Sequence, residues 1–281
     1  MVSPNGPIAS KARRAGEAIV ALDRTAIVRA LNGAPLTIEI ADTADSTNSE
    51  LLRRTAGGDD IHRRLLAAER QTAGRGRRGR GWLAVAGGSL TFSLGWRFEQ
   101  HAGHLGGLPL AVGVALVRAL DASGYRGIGL KWPNDLVHRW RKLGGILVES
   151  LGDAAGPTRT VVGVGLNVRI PASMREEIAA PVTDLGSIGG TAVADRNVLL
   201  ARIAVALSQA LQLYSDEGLA AFRAHWEQSD VLRGQPVQVL LPDGATVRGV
   251  AVGVDADGAL LVERGGRRLR FANGEASVRR D

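Results

Sequence analysis

The spacing of apolar residues along this chain changes several times, and each change marks an element. "PLTIEI" reads as a strand over Leu36–Ile40, and "DSTNSELLRR" as a helix entered through a polar turn. Thr47, with Glu50 three residues on, predicts an N-cap and capping box. "RLLAAERQ" is short and apolar at its centre, as a buried strand is. In Gly87–Phe98, Leu90, Phe92, Leu94 and Trp96 alternate with small or polar residues, which predicts a half-buried strand. The period then lengthens: Leu108, Val112, Leu116 and Leu120 recur at helical spacing, and Gly124 follows as a stop. "GIGLKWPND" predicts a strand ending in a Pro-Asn-Asp turn. "KLGGILVESL" and "RTVVGVGLNVRI" predict neighbouring strands, and Val182–Gly190 is turn-rich. Asp195 caps an amphipathic helix running to Tyr214, with Leu199, Ile203, Leu207 and Leu211 near one face, and a second helix covers Gly218–Gln228. After Asp230 short β-runs are broken by Asp-Gly, Asp-Gly, Gly-Gly and Asn-Gly, which are hairpin signals at the spacing of a small barrel. The alanine- and arginine-rich start carries a helix around Lys11–Leu31. The organisation expected is a short extension (1–35), a main domain (36–232) and a small β domain (233–281).

At 281 residues the chain has room for one large or two ordinary domains. No apolar stretch escapes charge or turn residues for long enough to predict a membrane span, and residues 1–35 lack the apolar core of a secretory signal. The absence of cysteine excludes disulfides, thiolate metal sites and a cysteine nucleophile, and fits a cytoplasmic location. The net charge is +7, and its placement is informative. Arg63, Arg64, Arg70, Arg75, Arg77, Arg78 and Arg80 face a single acid in that span, Glu69. Nearly all of the excess therefore sits in and before one glycine-rich loop. That favours a compact anionic ligand over a long polyanion, although one basic loop also suffices to touch DNA.

The loop "AGRGRRGRGW" combines glycines, which let the backbone approach a ligand, with arginines, which bond phosphate or carboxylate oxygens. It is not a Walker A loop, and its G-x-G-x-x-G frame (Gly74, Gly76, Gly79) is not followed by a helix, so a dinucleotide fold fails its context. A solvated basic turn is the competing reading of the loop alone. "KWPNDLVHRWRKLGG" brings Lys131, Asn134, Asp135 and Lys142 together around a proline turn. Asp135 stands there at the end of a strand, although lysines in such a stretch are ordinarily surface charges. "STN" at 46–48 reads first as a helix cap. Asn167, inside an apolar run, has to find polar partners, either within the fold or on a ligand. The five histidines show no ligand spacing, so a zinc site is not expected.

Taken in order, "DSTN", "ERQTAGRGRRGRGW", "LKWPNDL", "RKLGGILVE" and "VVGVGLNV" resemble the successive catalytic-domain motifs of the biotin–protein ligase family, and "GALLVE…GEASVR" resembles its small C-terminal SH3-like barrel. The resemblance spans roughly residues 36–281. It implies an α+β fold: a class II synthetase-like central mixed β-sheet flanked by helices, with the barrel appended. It also implies two-step chemistry with ATP, biotin and Mg2+. Biotin's carboxylate attacks the α-phosphate to give biotinyl-5′-AMP and pyrophosphate, and a lysine of a biotin carboxyl carrier protein then takes the biotinyl group. On this resemblance Lys142 bridges the biotin carboxylate and the phosphate, with Arg77 and Asp135 as catalytic partners. Ser46, Thr47, Asn48, Gln71, Arg75, Gly76, Arg77 and Lys142 hold biotin. Arg78, Arg80, Trp82, Asn134, Asp135 and Asn167 face the nucleotide, with Trp82 near the adenine. The metal's ligands are left unassigned. A loop of glycines and like charges is expected to be ordered by its ligand. Only residues 1–35 precede the core, against about 60 for a small DNA-binding fold, so no operator-binding role is expected and the extreme N-terminus is expected to be disordered. A monomer or a homodimer is compatible. A lipoate or octanoate ligase of the same fold is the nearest rival, and a nucleic-acid-binding protein the rival of another class.

Overall fold

Alternation of large and small side chains along the middle strands decides the architecture. In the strand Thr158–Asn167, Val162, Val164 and Leu166 enter the main core, while Val161, Gly163, Gly165 and Asn167 face the other way. The computed structural model describes residues 20–152, 156–178, 180–189, 195–272 and 277–280. The expectation of N-terminal disorder, and residues 11–19 of the predicted Lys11–Leu31 helix, fall outside them.

Seven strands form the central sheet: β1 (Thr37–Ala44), β2 (Arg64–Gln71), β3 (Ser89–Phe98), β4 (Ile128–Lys131), β5 (Asp135–His138), β6 (Arg141–Gly152) and β7 (Thr158–Asn167). Their order is β1-β2-β3-β7-β6-β5-β4, with β1 and β2 parallel and the remaining pairs antiparallel. The helices are α1 (Arg24–Ala30), α2 (Thr47–Ala56), α3 (Leu108–Ala122), α4 (Ala172–Glu177), α5 (Leu185–Gly189), α6 (Arg196–Glu217) and α7 (Arg223–Ser229). The apolar faces of α3 and α6 share one core with Phe92, Leu94 and Trp96. On the other face α2 covers a small cluster of Leu51, Ile61, Leu66 and Val161.

Several expectations change. Ser46, not Thr47, caps α2: its extended backbone lets its oxygen accept from Ser49 N at 3.4 Å, and Glu50 pairs with Arg53 and Arg54 instead of closing a box. The first helix is short, because Asp23 caps it by accepting from Ala26 N at 2.6 Å. β3 is buried on both faces, since the small side of its alternation (Thr91, Ser93, Gly95) lies under protein and not water. The segment after the Pro-Asn-Asp turn is itself a strand, so Asp135 opens β5 where the end of a strand was expected. Val182–Gly190 contains a short helix, α5. The predicted second helix begins as a 3₁₀ turn at Gly218–Phe222 before α7. The run Arg196–Ser229 is by length and composition alone apolar enough to cross a membrane, but over half of its most apolar window is buried in this protein's own core, as in a core helix.

The C-terminal strands are β8 (Pro236–Leu240), β9 (Thr246–Val254), β10 (Leu260–Arg264), β11 (Arg267–Phe271) and β12 (Ser277–Arg280). They pair antiparallel in the order β11-β10-β9-β8-β12, a row with β11 and β12 at its ends where a barrel was expected. The predicted Asp-Gly and Gly-Gly turns join successive strands; the Asn-Gly pair lies outside the described residues. Val237, Val239, Leu260 and Val262 merge with the core of the larger sheet. The buried indole of Trp132 donates to the Gly258 carbonyl at 3.0 Å, tying the β4–β5 turn to the β9–β10 turn.

At the junction, Asp230 ends α7 and accepts from Leu232 N at 2.9 Å through Oδ1, while among the described residues its buried Oδ2 has no hydrogen-bond partner. Burial pushes this carboxyl up to about 6, against the Leu232 hydrogen bond and the charge of Arg233. Below pH 4 the group is neutral in both folded and unfolded chains. Between 4 and 6 only the unfolded chain loses the proton, so stability falls as pH rises through this window and stays lower above it. Asp230→Asn is therefore expected to stabilise by on the order of 1–2 kcal/mol at pH 7.5, the gain vanishing toward pH 4. Urea unfolding of both proteins at the two pH values checks this; an equal gain at both rules it out.

Candidate active site

The sheet face opposite α3 holds a cavity of about 170 Å³. Its floor exists because β6 and β7 carry glycines where side chains would otherwise stand. A Cβ on Gly163 would lie 2.2 Å from Asn48 Oδ1, and one on Gly165 would lie 2.3 Å from Trp82 Cε2. The floor thus seats α2's start at one end and the Trp82 indole at the other.

At the α2 end, Ser46, Thr47 and Asn48 are buried in the first turn. Gln71 Oε1 accepts from Thr47 N at 2.8 Å and from Thr47 Oγ1 at 3.2 Å, which leaves its NH2 as the end offered to a ligand. Asn48 is pinned from three sides. Its Nδ2 donates to Leu147 O (3.2 Å) and Glu149 Oε2 (3.0 Å), and its Oδ1 accepts from Ser93 Oγ (2.5 Å).

The basic loop forms one wall. It folds back on itself through Gly76 N→Arg80 O (2.7 Å) and Trp82 N→Gly74 O (2.8 Å), with Arg78 at φ +58° in the turn. This hairpin returns Trp82 onto Gly165. The indole Nε1 is buried there against Gly165 without a hydrogen-bond partner among the described residues, an unsatisfied donor at the cavity floor. Arg77 Nη1 donates to Asn134 Oδ1 at 3.3 Å, while Asn134 is fixed by Nδ2→Ile146 O at 2.6 Å.

Lys142 stands opposite. The β5–β6 register shifts there, pairing Leu136 with Gly144 and Val137 with Lys142, so that Leu143 is the extra residue. Such a bulge re-aims a side chain. The main chain is held by Lys142 N→Pro181 O (2.8 Å) and Thr183 N→Lys142 O (2.9 Å). Its ammonium lies 2.7 Å from Asp135 Oδ1 and 5.8 Å from the Trp82 ring centroid. Six cationic side chains (Arg75, Arg77, Arg78, Arg80, Lys131, Lys142) and one carboxylate, Asp135, line the cavity. Burial, with the like charges of Lys142, Arg279 and Arg80, holds Lys131 below the usual lysine range despite Asp135. Burial likewise lowers Arg77. A site with this charge is built for an anion.

Comparison with known proteins agrees with this geometry. Residues 43–167 match the biotin/lipoate A/B protein ligase family, and residues 233–279 match the biotin protein ligase C-terminal domain. The chain is 36% identical over 245 residues to the bifunctional ligase/repressor BirA of Salmonella typhimurium, covering 86% of this chain and 74% of that protein. This chain belongs to the biotin–protein ligase family. The ligase is also 37% identical over 242 residues to the biotin–[acetyl-CoA-carboxylase] ligase of Mycobacterium tuberculosis, covering 85% of this chain and 87% of that one. A solved structure, the biotin protein ligase from Aquifex aeolicus in complex with biotin and ATP, aligns with a TM-score of 0.73 at 29% identity, over 87% of this chain and 99% of that one.

Of the residues singled out in the sequence, the ligase gathers Ser46, Thr47, Asn48, Gln71, Arg75, Gly76, Arg77, Arg78, Arg80, Trp82, Asn134, Asp135 and Lys142 around one cavity. Asn167 is the exception. It stands behind Lys142, donating to Thr183 O at 3.1 Å and, at 3.5 Å, to Lys142 O, so here it supports the lysine's strand. Arg75 lines the rim but pairs with Glu149 at 2.7 Å and donates to Ser49 Oγ at 3.2 Å. Sequence reasoning missed Gly163 and Gly165, although their alternation with valine in "VVGVGLNV" was a readable sign. It also missed Ser93 behind Asn48, and Val278 of β12, which reaches the cavity from the C-terminal sheet.

Proposed function

We infer that this ligase activates biotin with ATP and transfers it to a lysine of a biotin carboxyl carrier domain. The observation that carries the reading is that Lys142 lines one cavity together with the polar residues at the start of α2 and an arginine-rich wall, its ammonium 5.8 Å from the Trp82 ring centroid. In the first step a biotin carboxylate oxygen forms a bond to the α-phosphorus and the bond to pyrophosphate breaks. Two anions must meet while charge grows on the phosphate. Fixed cations at Lys142, Arg77 and Lys131 lower that barrier without reorganising. Thr47 and Gln71 offer polar groups to the ureido head, and a wrong acid leaves them unpaired. In the second step the carrier's lysine attacks the acyl carbon and AMP leaves.

Mg2+ fits on modest terms. The lining holds one carboxylate, Asp135, and no cluster of three metal-binding acids or histidines occurs among the described residues. A magnesium ion bound mainly by substrate phosphates needs no more than one or two carboxylates, and it would supply charge neutralisation on the triphosphate. Arg78, Arg80, Asn134 and Trp82 we place on the nucleotide side. The C-terminal sheet, an SH3-like module on this reading, closes the cavity through Val278. ATP–pyrophosphate exchange dependent on biotin is the expected activity. Exchange supported by lipoate and not by biotin overturns the substrate assignment.

A further inference from the structure

Glu69 opens the "ERQTAGRGRRGRGW" stretch, yet it is absent from the cavity lining. It lies on the α6 side of β2, its side chain 17% exposed, against Arg196, 6% exposed, the first residue of α6. Arg196 grips the carboxylate with both arms, Nη2→Oε1 at 2.8 Å and Nη1→Oε2 at 3.0 Å. The same carboxylate accepts from Leu22 N at 2.5 Å and from Gly87 N at 3.3 Å. The same guanidinium donates to Ser89 O at 3.1 Å and Val20 O at 2.7 Å. A cation at a helix N-terminus opposes the helix dipole, so Arg196 needs a local anion to stand there.

The placement matters more than the bond count. Glu69 is two residues before Gln71, where the basic loop leaves β2. Gly87 and Ser89 are where the loop returns to β3. The whole basic loop therefore starts and ends on one buried ion pair, which also holds the extended chain entering α1. Between these two feet the hairpin lays the Trp82 indole against Gly165.

We propose that Glu69 and Arg196 are positioning residues for the ligand loop, a clamp that joins its two feet and thereby sets the loop over the cavity. Neither touches substrate. The proposal rests on the biotin and ATP reading above only for its effect on affinity, because loop position is readable without any ligand. Were the pair's role purely structural, breaking it would lower the melting temperature and leave loop and ligand binding alone.

The test uses the full chain and three variants: Glu69→Gln, Arg196→Lys and, as a control, Leu207→Ala. Leu207 is a buried core residue of α6 remote from the pair in sequence, and its truncation destabilises the same helix. Arg196→Lys keeps the charge and drops the second arm, so it carries the test should Glu69→Gln fail to fold. Two quantities are read: the rate of tryptic cleavage at Arg75–Arg80 without ligand, and the dissociation rate of biotinyl-AMP. Both clamp variants are expected to be cut faster and to release the adenylate about tenfold faster, with kcat for its formation changed much less. Leu207→Ala is expected to melt earlier with neither change. Cleavage at the parental rate, or equally fast cleavage in Leu207→Ala, overturns the clamp. So does faster cleavage with unaltered adenylate release. If wild type binds no biotin while the clamp variants are still cut faster, the functional reading fails and the clamp stands.

Discussion

Lys142→Ala is expected to cut biotin-dependent ATP–pyrophosphate exchange by on the order of 10²–10³-fold, the loss typical when one donor to a developing charge is removed. The protein should fold as before. The bonds that hold this part of β6, to Pro181 and Thr183, are main-chain bonds. The side chain is about one-third exposed, and its pair with Asp135, itself 24% exposed, contributes little to stability in that setting. Biotin should still bind, because Thr47 and Gln71 hold the opposite end of the cavity without reference to Lys142. Lys142→Arg should fare little better, since a planar fork does not replace a point charge wedged between Asp135 and Trp82. Exchange assays beside calorimetry and a melting curve separate chemistry from binding and folding. Exchange within threefold of the parent would remove Lys142 from the catalytic role.

That prediction draws on both what the sequence made legible and what only the fold revealed. The β-branched runs of β6 and β7 announced neighbouring strands, and the 3.6-residue period of α6 announced a core helix, because each pattern reports a local choice of exposed and buried faces. Lys142 stood out only through the family resemblance, since a lysine in such a stretch ordinarily reads as surface charge. The bulge that aims it was not legible, since a register shift depends on a partner strand. Ser46, Thr47 and Asn48 can all cap a helix in principle; only the extended backbone of Ser46 decides between them. β3 looked half-exposed because its small residues resemble a solvent face, whereas here they make room for α2. Glu69 read as one more charge until α6, 127 residues further along the chain, delivered Arg196 to it.

The glycine floor carries the second prediction, which separates the two ends of the cavity. Gly163 and Gly165 are two apart on β7, so both face the site. At either position the backbone tolerates alanine, and only the added methyl is refused. At 163 it collides with Asn48, whose amide is held by Leu147, Glu149 and Ser93 and cannot swing aside without breaking that set. At 165 it collides with the Trp82 indole, held by one main-chain bond to Gly74, so the loop's end must lift. Gly163→Ala should therefore raise KM for biotin at least tenfold and leave KM for ATP within a few-fold. Gly165→Ala should do the reverse, and should also quicken tryptic cleavage of the loop. A displacement near 1 Å is enough to cost up to about 10²-fold when reacting groups must align, so kcat should fall in both. The informative result is the crossing of the two KM effects. Should both variants raise both KM values equally, the cavity behaves as one undivided pocket, and the assignment of α2's start to biotin and of Trp82 to the nucleotide falls with it.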